Sequence, residues 1–298
     1  MAVLEYAELF SNVLTELYGH ESKSNELYNS NQGIQIVNGN QIKIPKLSVG
    51  GYKDHTRGSN YNSGAYSNGY DTKTLDHDRD VEFVIDPMDV DETDSVVSIA
   101  NIQKRFDSTQ AIPELDCYTF SKLYSEAKRV GSVIKNDVIT TANVLADFDD
   151  NLEKLSEAGV PLERVIMYVT PAFNKILKNA DGVYRTMSVT SPNSIDRRIR
   201  SLDDIKEIKE VPSDRLKTLY DFTDGCVAAG SAKQINYILI DPEAQVSRMK
   251  YAYIKAYEPG TDSRTADNYI YQNRKYNGTF AIDELFKSGC IINAEAEG

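Results

Sequence analysis

The side chains in this sequence that could do chemistry are mostly carboxylates. The chain has 45 Asp and Glu residues but only three histidines, His20, His55 and His77. None of these histidines belongs to an HExxH zinc motif, and no Gly-x-Ser-x-Gly elbow or Gly-x-x-x-x-Gly-Lys-Ser/Thr phosphate loop occurs. A dinucleotide-binding glycine fingerprint is absent as well. The sequence therefore lacks the motifs of the common nucleophilic, phosphate-binding and zinc-dependent activities.

The run at residues 76–80, Asp-His-Asp-Arg-Asp, comes closest to a metal-binding motif. Its acidic residues at the first, third and fifth positions resemble the start of an EF-hand loop. However, Val81 stands where that loop needs glycine, and Pro87 stands where it needs a bidentate glutamate. We therefore interpret the run as a charged strand face that forms ion pairs between subunits rather than as a metal site.

A second acidic cluster could either bind calcium between subunits or stabilise the start of a helix. Its members are Asp86, Asp89, Asp91, Glu92 and Asp94. Carboxylates at a helix N-terminus interact favourably with the helix dipole without any metal, and we favour that interpretation. No carboxylate pair stands out as a glycosidase site, and the lack of Trp removes the usual sugar-stacking platform. The sequence thus predicts no catalytic residue, no cofactor-binding residue and no metal ligand.

Length and composition indicate a folded protein of ordinary type. The 298 residues, 33.4 kDa in mass, suffice for one large domain or two modest ones. Hydrophobic residues make up 41% and charged residues 26%, which argues against global disorder. No apolar run approaches the ~18 residues of a membrane span, and the acidic first eight residues lack the basic region of a secretory signal. Three well-separated cysteines suit a reducing cytoplasm and predict neither a disulfide framework nor a zinc site: Cys117, Cys226 and Cys290.

The net charge of −12 argues against a nucleic-acid-binding protein, because affinity for phosphate comes mostly from Lys and Arg. The best candidate for a local basic patch is Arg197-Arg198-Ile199-Arg200, which we interpret as a solvated or salt-bridged turn. The lack of catalytic motifs and the acidic net charge are compatible with a structural role. A hydrolase that uses a carboxylate site is the less favoured alternative.

The most informative pattern lies at residues 71–128. It begins as a strand, in which residues 81–85 partly alternate between apolar and polar, and Pro87 ends that strand. Apolar residues then recur at helical spacing over residues 95–106 and again after Ile112-Pro113-Glu114. The pattern predicts a strand, an acidic hinge and two successive helical runs.

This order of elements carries a family resemblance. A strand, then Asp-x-Met-Asp-x-Asp-Glu-Thr from Asp86, a helix, and Ile-Pro-Glu-Leu-Asp-x-Tyr from Ile112 resemble the major capsid proteins of tailed bacteriophages. The resemblance is closest to phages of Gram-positive hosts. It implies the α+β fold of the Hong-Kong-phage-type capsid protein. In that family the strand is the returning arm of an extended hairpin, the E-loop, and the long helix is the spine of the peripheral domain.

The N-terminal part of the chain fits the same order. An apolar stripe predicts a helix over residues 4–18, which is either packed on the protein's own core or an arm on a neighbour. Asn38-Gly39 between short apolar runs predicts a tight hairpin turn. Residues 48–70 are rich in Gly, Asn, Ser and Tyr, which indicates either a disordered insert or the hairpin tip on a neighbouring subunit. We favour the tip, because tyrosines combine large contact area with a polar end: Tyr52, Tyr61, Tyr66 and Tyr70.

The remaining elements are predicted from apolar spacing and from Pro and Gly breaks. They are a helix over residues 138–158, a strand at 164–169, a short helix at 172–178, strands at 205–211 and 235–240, a hairpin on either side of Pro259-Gly260, and a closing strand at 290–292.

The resemblance implies five segments. They are an N-terminal arm (1–31), the E-loop hairpin (32–85), the peripheral domain with its spine helix (86–137), the axial domain (138–244), and the return and closing strands (245–298). The implied function is self-assembly into hexamers and pentamers of an icosahedral head that encloses double-stranded DNA without sequence-specific binding. The implied partners are other copies of the chain, a separate scaffolding protein, and portal and head-completion proteins. The implied location is the virion, assembled in the host cytoplasm.

Two alternatives stay open within this resemblance. An encapsulin-type compartment shell has the same fold and would differ in its cargo. Some relatives also crosslink covalently through a lysine of the E-loop, for which Lys53 and Lys73 lie in the right region. We expect no such crosslink, since lysines are common in that region.

Overall fold

The structure is a computed structural model that describes residues 22–31, 36–37, 41–55, 57, 62–92, 99–180, 205–260 and 267–296. Its helices are α1 (Asn25–Asn29), α2 (Pro87–Glu92), α3 (Ile99–Phe106), α4 (Ile112–Val130), α5 (Val144–Glu157), α6 (Pro171–Lys178) and α7 (Asp283–Gly289). A π-helical turn, Asp107–Ala111, joins α3 to α4. The chain is of the α+β class, as predicted.

The strands come from every part of the described chain. They are β1 (Ile36–Val37), β2 (Gln41–Val49), β3 (Tyr66–Thr74), β4 (His77–Ile85), β5 (Val133–Lys135), β6 (Ile166–Val169), β7 (Glu207–Glu210), β8 (Tyr220–Asp221), β9 (Val227–Ala228), β10 (Ile235–Ile240), β11 (Gln245–Tyr257), β12 (Tyr269–Ala281) and β13 (Cys290–Ala294). Among the described residues they form four sheets, in the orders β5-β13-β10-β6-β7, β11-β12-β4, β1-β2-β3 and β8-β9.

The five-stranded sheet is covered on both faces, which explains why its strands read as unbroken apolar runs. Neighbouring residues of one strand point to opposite faces. On one face, Ile238 belongs to the core cluster of Phe120 from α4 and Phe286 from α7. On the other face, Leu239 joins the cluster of Phe148 from α5 and Phe173 from α6. This sheet therefore separates two apolar cores.

The long helix α4 connects the five-stranded sheet to the β11-β12-β4 sheet. Its Phe120 ring lies 5.1 Å from the Tyr168 ring of β6. Glu126 accepts a hydrogen bond of 3.2 Å from the backbone N–H of Ala281 in β12. Gly131 ends the helix in the left-handed conformation, with a φ of 77°, which glycine adopts without a steric penalty.

The strand expected to end at Ile85 is in fact two strands that belong to different sheets. β3 pairs with β2, whereas β4 pairs with β12, and the chain leaves the strand conformation at Leu75 and Asp76. Leu75 is buried, and it fits there because residue 278 is glycine, where a Cβ atom would lie only 2.7 Å from Leu75 Cδ2. Asp76 turns to α4, where it accepts a hydrogen bond of 2.6 Å from the Tyr118 hydroxyl. Contacts distant in sequence thus break a pattern that looks continuous.

Two predicted helix boundaries are also wrong. The helix expected over residues 138–158 begins only at Val144, because the Asn143 side chain bonds the backbone of Thr140 and Val138 and holds these residues in a loop. The helical runs before and after Ile112 are continuous through the π-helical turn. That wider turn ends at Ala111, two residues before Pro113, which has no N–H to continue α-helical bonding.

Most other predicted elements are confirmed near their expected positions. The hairpin around Pro259-Gly260 is present as β11 and β12, and the closing strand is β13. β1 and β2 form the predicted short hairpin, with Val37 opposite Gln41. Its Asn38-Gly39 turn, the N-terminal helix and the arginine-rich run at 197–200 lie outside the described residues. No helix in the described part of the chain has the length and apolar character needed to cross a membrane.

Candidate subunit interface

The hairpin of β2 and β3 has two chemically different faces. Its strands pair from Gln41 opposite Thr74 to Val49 opposite Tyr66. At the root, Ile42 and Ile44 point to one face and are buried against the protein's own core. The opposite face carries side chains from alternate positions of both strands: Pro45, Leu47, Val49, Tyr66, Asn68 and Tyr70.

The outer half of this second face is apolar and exposed. Leu47 is 72% exposed, Val49 71%, Tyr66 80% and Tyr70 69%. Large apolar side chains that lie side by side in water mark protein interaction sites more often than isolated ones do. We call this set, Pro45, Leu47, Val49, Tyr66 and Tyr70, the hairpin face. It is an exposed apolar surface that the described residues of the chain do not cover.

Sequence reasoning identified the tyrosines of the hairpin face but missed Leu47 and Val49. The signal was available in the register of the apolar residues. They occupy even positions at Ile42 and Ile44 and odd positions from Pro45 onward. Because side chains of a strand alternate in direction, this switch transfers the apolar face from one side of the hairpin to the other. A strand that buries its root and exposes its outer part on the opposite side should show this pattern.

Ion pairs fix the root of the hairpin to the body of the protein. Lys73 Nζ lies 3.0 Å from Asp71 and 3.4 Å from Asp283 at the start of α7. Arg129 of α4 lies 2.6 Å from the same Asp283 carboxylate. The Arg129 hydrogen bond, with help from Lys73, holds the pKa of Asp283 below its usual value. Of the two lysines considered for crosslinking, Lys73 therefore belongs to the root, while Lys53 lies exposed toward the tip.

The Ile-Pro-Glu-Leu-Asp-x-Tyr motif forms the first turns of α4 and holds three other segments. Glu114 accepts a hydrogen bond of 2.7 Å from Arg79 of β4. Tyr118, one turn further, donates to Asp76 at the break between β3 and β4. Burial raises the pKa of Glu114, and the charge of Arg79 partly opposes that shift. The motif thus positions β4 on the helix.

Asp116, the third polar residue of the motif, fixes the N-terminal segment. It is completely buried and accepts hydrogen bonds from Ser22 Oγ at 2.9 Å and from Ser24 Oγ at 2.8 Å. The backbone N–H groups of Lys23 and Ser24 also donate to it, and Arg215 lies 3.3 Å away. One carboxylate therefore holds residues 22–24 against α4.

No protein-family model matches this chain, and no curated protein matches its sequence. Solved structures do match. The asymmetric unit of the bacteriophage PhiM1 mature capsid is 13% identical, with a TM-score of 0.65 over 88% of this chain and 84% of that one. The cyanophage P-SCSP1u capsid is 12% identical, with a TM-score of 0.60 over 89% and 86%. A virus-like particle from Pyrococcus furiosus is 10% identical, with a TM-score of 0.51 over 98% and 100%.

The chain has the tailed-phage capsid fold. The identities are low, so the likeness concerns the fold, and the match extends over most of the chain in each comparison. The α+β capsid fold predicted from the motif at residues 71–128 is confirmed.

In this capsid fold, charged residues of the run at 76–80 pair within the chain, and ion pairs from this run to a neighbouring subunit remain a prediction. Asp76 pairs with Lys122, and Asp78 lies 2.6 Å from Arg274 of β12. These partners come from strands and helices that the sequence could not show to be adjacent. In the described part of the chain, no group of three or more His, Cys, Asp or Glu residues could hold a metal ion.

The acidic stretch after the run is described only at its start. Asp86 accepts a hydrogen bond of 2.8 Å from the backbone N–H of Met88, and Asp89 lies in the first turn of α2. Both positions fit electrostatic support of a helix start. The side chains of residues 91, 92 and 94 lie outside the described set.

His77 is the one residue of the run that is buried in an aromatic setting. Its ring stacks on Tyr118 at 4.0 Å and meets Phe222 edge-on at 5.1 Å. Burial and the neighbouring charge of Arg79 lower the pKa of His77 from 6.5 to about 4. At neutral pH the ring is therefore uncharged and packs as an aromatic side chain.

This setting predicts a pH-dependent loss of stability. The unfolded chain binds a proton at His77 more tightly than the folded chain does, so stability should fall as pH drops from about 6.5 to about 4. The full loss from this group is about 3 kcal/mol. In His77→Phe, which keeps the ring but cannot titrate, the urea midpoint should fall less over the same pH range than in the wild type. Parallel pH profiles for the two proteins would contradict the assignment.

Proposed function

We propose that many copies of this chain assemble into the shell of a tailed-phage head. The observation that carries the proposal is the hairpin face, an exposed apolar surface on a projecting hairpin of a chain with the capsid fold. A shell gives this surface a partner, because a neighbouring copy can cover it. Hexamers and pentamers of the chain would close an icosahedral shell around double-stranded DNA.

Each segment has a role in this proposal. Residues 1–31 form the N-terminal arm, 32–85 the E-loop that clasps the adjacent subunit, 86–137 the peripheral domain with α4 as spine, 138–244 the axial domain around the capsomer axis, and 245–298 the return and closing strands. In the five-stranded sheet, the closing strand β13 lies between the short strand β5 and β10. In this proposal, β13 links the axial segment, which contains β10, to β5, which follows the spine helix α4.

The proposed role is structural rather than enzymatic. With a net charge of −12, the protein would enclose DNA without binding it by sequence, since strong phosphate binding needs clustered Lys and Arg. We infer that a separate scaffolding protein guides assembly in the host cytoplasm and that portal and head-completion proteins complete the virion. Phages of Gram-positive hosts remain the expected source type.

A second candidate is an encapsulin-type compartment shell. It is favoured by one observation, the match to the Pyrococcus furiosus virus-like particle over 98% of this chain and all of that one. Both candidates assemble into a closed shell, and they differ in what the shell encloses. Nuclease-protected DNA inside purified particles would favour the phage head, and an enclosed enzyme would favour the compartment.

Electron microscopy of the purified protein, combined with its elution volume on a sizing column, tests the proposal. We expect closed shells, tubes or isolated capsomers as the protein concentration and the salt are raised. Limited proteolysis of residues 48–70 in the unassembled protein provides the second measurement, and we expect cleavage there. A compact monomer under all conditions, with residues 48–70 resistant to protease, would overturn the proposal and favour the hydrolase alternative.

A further inference from the structure

Two oppositely charged side chains lie buried against each other where the π-helical turn meets β12. Lys275 Nζ is 3.9 Å from Asp107 Oδ1, and their side chains are only 15% and 6% exposed. Neither carboxylate oxygen of Asp107 accepts a hydrogen bond. Hydrogen bonds therefore do not offset the loss of hydration at this carboxylate, and a charged pair in this place is unfavourable.

Burial shifts both groups toward their neutral forms. It raises the pKa of the Asp107 carboxyl, and the nearby Lys275 charge opposes that shift only in part. It also lowers the pKa of Lys275, against the opposing charges of Asp107 and Glu114. A neutral amine is a nucleophile, and a protonated carboxyl is a far better electrophile than a carboxylate. Both shifts are in the direction that an amide-forming reaction needs.

The surroundings provide room and a proton carrier. A cavity of about 440 Å³ is bordered by Lys275, by Gln110 and Ala111 of the π-helical turn, and by Glu114. Such a cavity can receive a released water molecule. Glu114 borders the same cavity, and a carboxylate in this position can accept a proton and return it. The π-helical turn itself is a rare element that occurs often at functional sites.

We propose that Lys275 and Asp107 join in an intramolecular isopeptide bond after the chain has folded. Nζ adds to the Asp107 carboxyl carbon, a C–N bond forms, and one C–O bond breaks. The leaving hydroxyl takes a proton that Nζ loses, carried by Glu114 or by water in the cavity, and departs as water. No oxidant or reductant is needed. The bond ties the turn before α4 to β12 within one subunit, and it forms whether or not the chain assembles into a shell.

Intact-mass spectrometry of the folded full-length protein tests this inference. The wild type should be lighter than its sequence mass by one water, about 18 Da. Lys275→Arg and Asp107→Ala should both have their full sequence masses, because the first lacks the reactive amine and the second lacks the carboxyl. Tandem mass spectrometry of a digest should find a branched peptide that joins residue 275 to residue 107.

Two results would overturn the inference. One is a wild type that keeps its full sequence mass after prolonged incubation in the folded state, which needs no variant to interpret. The other is a loss of water that persists in Lys275→Arg, since that would place the dehydration elsewhere, for example in an aspartyl succinimide. Either result would leave Asp107 and Lys275 as a buried ion pair.

Discussion

Leu47→Asp should abolish particle formation and leave the subunit folded. Leu47 is 72% exposed in the subunit, so the folded chain loses little packing when this side chain changes. In the proposed shell the hairpin face is covered, and burial of a leucine contributes about 1.5–3 kcal/mol. An aspartate there must instead be desolvated without a partner, which costs more than the lost burial. We expect the concentration needed for assembly to rise by about 100-fold or more, measured by light scattering and electron microscopy.

Ser48→Asp is the matched control. Ser48 is the next residue of the same strand, is also exposed, and points to the opposite face of the hairpin. The same charge is added one position away, and we expect assembly close to that of the wild type. Equal loss of assembly in both variants would mean that added charge, and not the hairpin face, disrupts the particle. Normal assembly of Leu47→Asp would show that the hairpin face is not an interface.

Asp116→Ala should cost about 3–5 kcal/mol of unfolding free energy, because it removes one partner of a buried charged network. The change leaves Arg215 without this carboxylate and leaves the backbone N–H groups of Lys23 and Ser24 without an acceptor. We expect a lower urea midpoint and faster hydrogen exchange, concentrated in residues 22–31. We expect this segment to detach before the rest of the protein unfolds, because both serines that donate to Asp116 lie in it.

Asp116→Asn serves as the comparison. It keeps an oxygen acceptor of similar shape for Ser22 and Ser24 but loses the charge that faces Arg215. Its loss of stability should fall between those of the wild type and Asp116→Ala. If hydrogen exchange of residues 22–31 is unchanged in Asp116→Ala, the carboxylate does not hold the N-terminal segment.

The sequence was sufficient to predict the α+β class, most elements, and the capsid fold through the motif of Glu114, Asp116 and Tyr118. The class and the elements could be predicted because apolar spacing and Pro or Gly breaks are local properties, whereas the capsid fold came from the family resemblance. In the sequence, the motif residues are recognisable only as a family pattern. Their physical role depends on the residues that they contact in the structure: Arg79, Ser24 and Asp76. Those partners lie far away in sequence.

The errors have the same origin. The break at Leu75 depends on the space that Gly278 leaves beside it. The pairing of Asp78 depends on Arg274, which lies almost two hundred residues later, and a local sequence pattern does not show contacts between residues so far apart. The buried pair of Asp107 and Lys275 was invisible for the same reason. The hairpin face could be predicted in part from the sequence, since apolar residues switch from even to odd positions within residues 42–49.

Electron cryo-microscopy of the assembled particle tests the central claim most directly, because it locates the hairpin relative to neighbouring copies. We predict density for residues 45–70 that crosses an adjacent subunit, with Leu47, Val49, Tyr66 and Tyr70 covered by that subunit. A hairpin folded back on its own subunit, or projecting into solvent with these side chains exposed, would contradict the account.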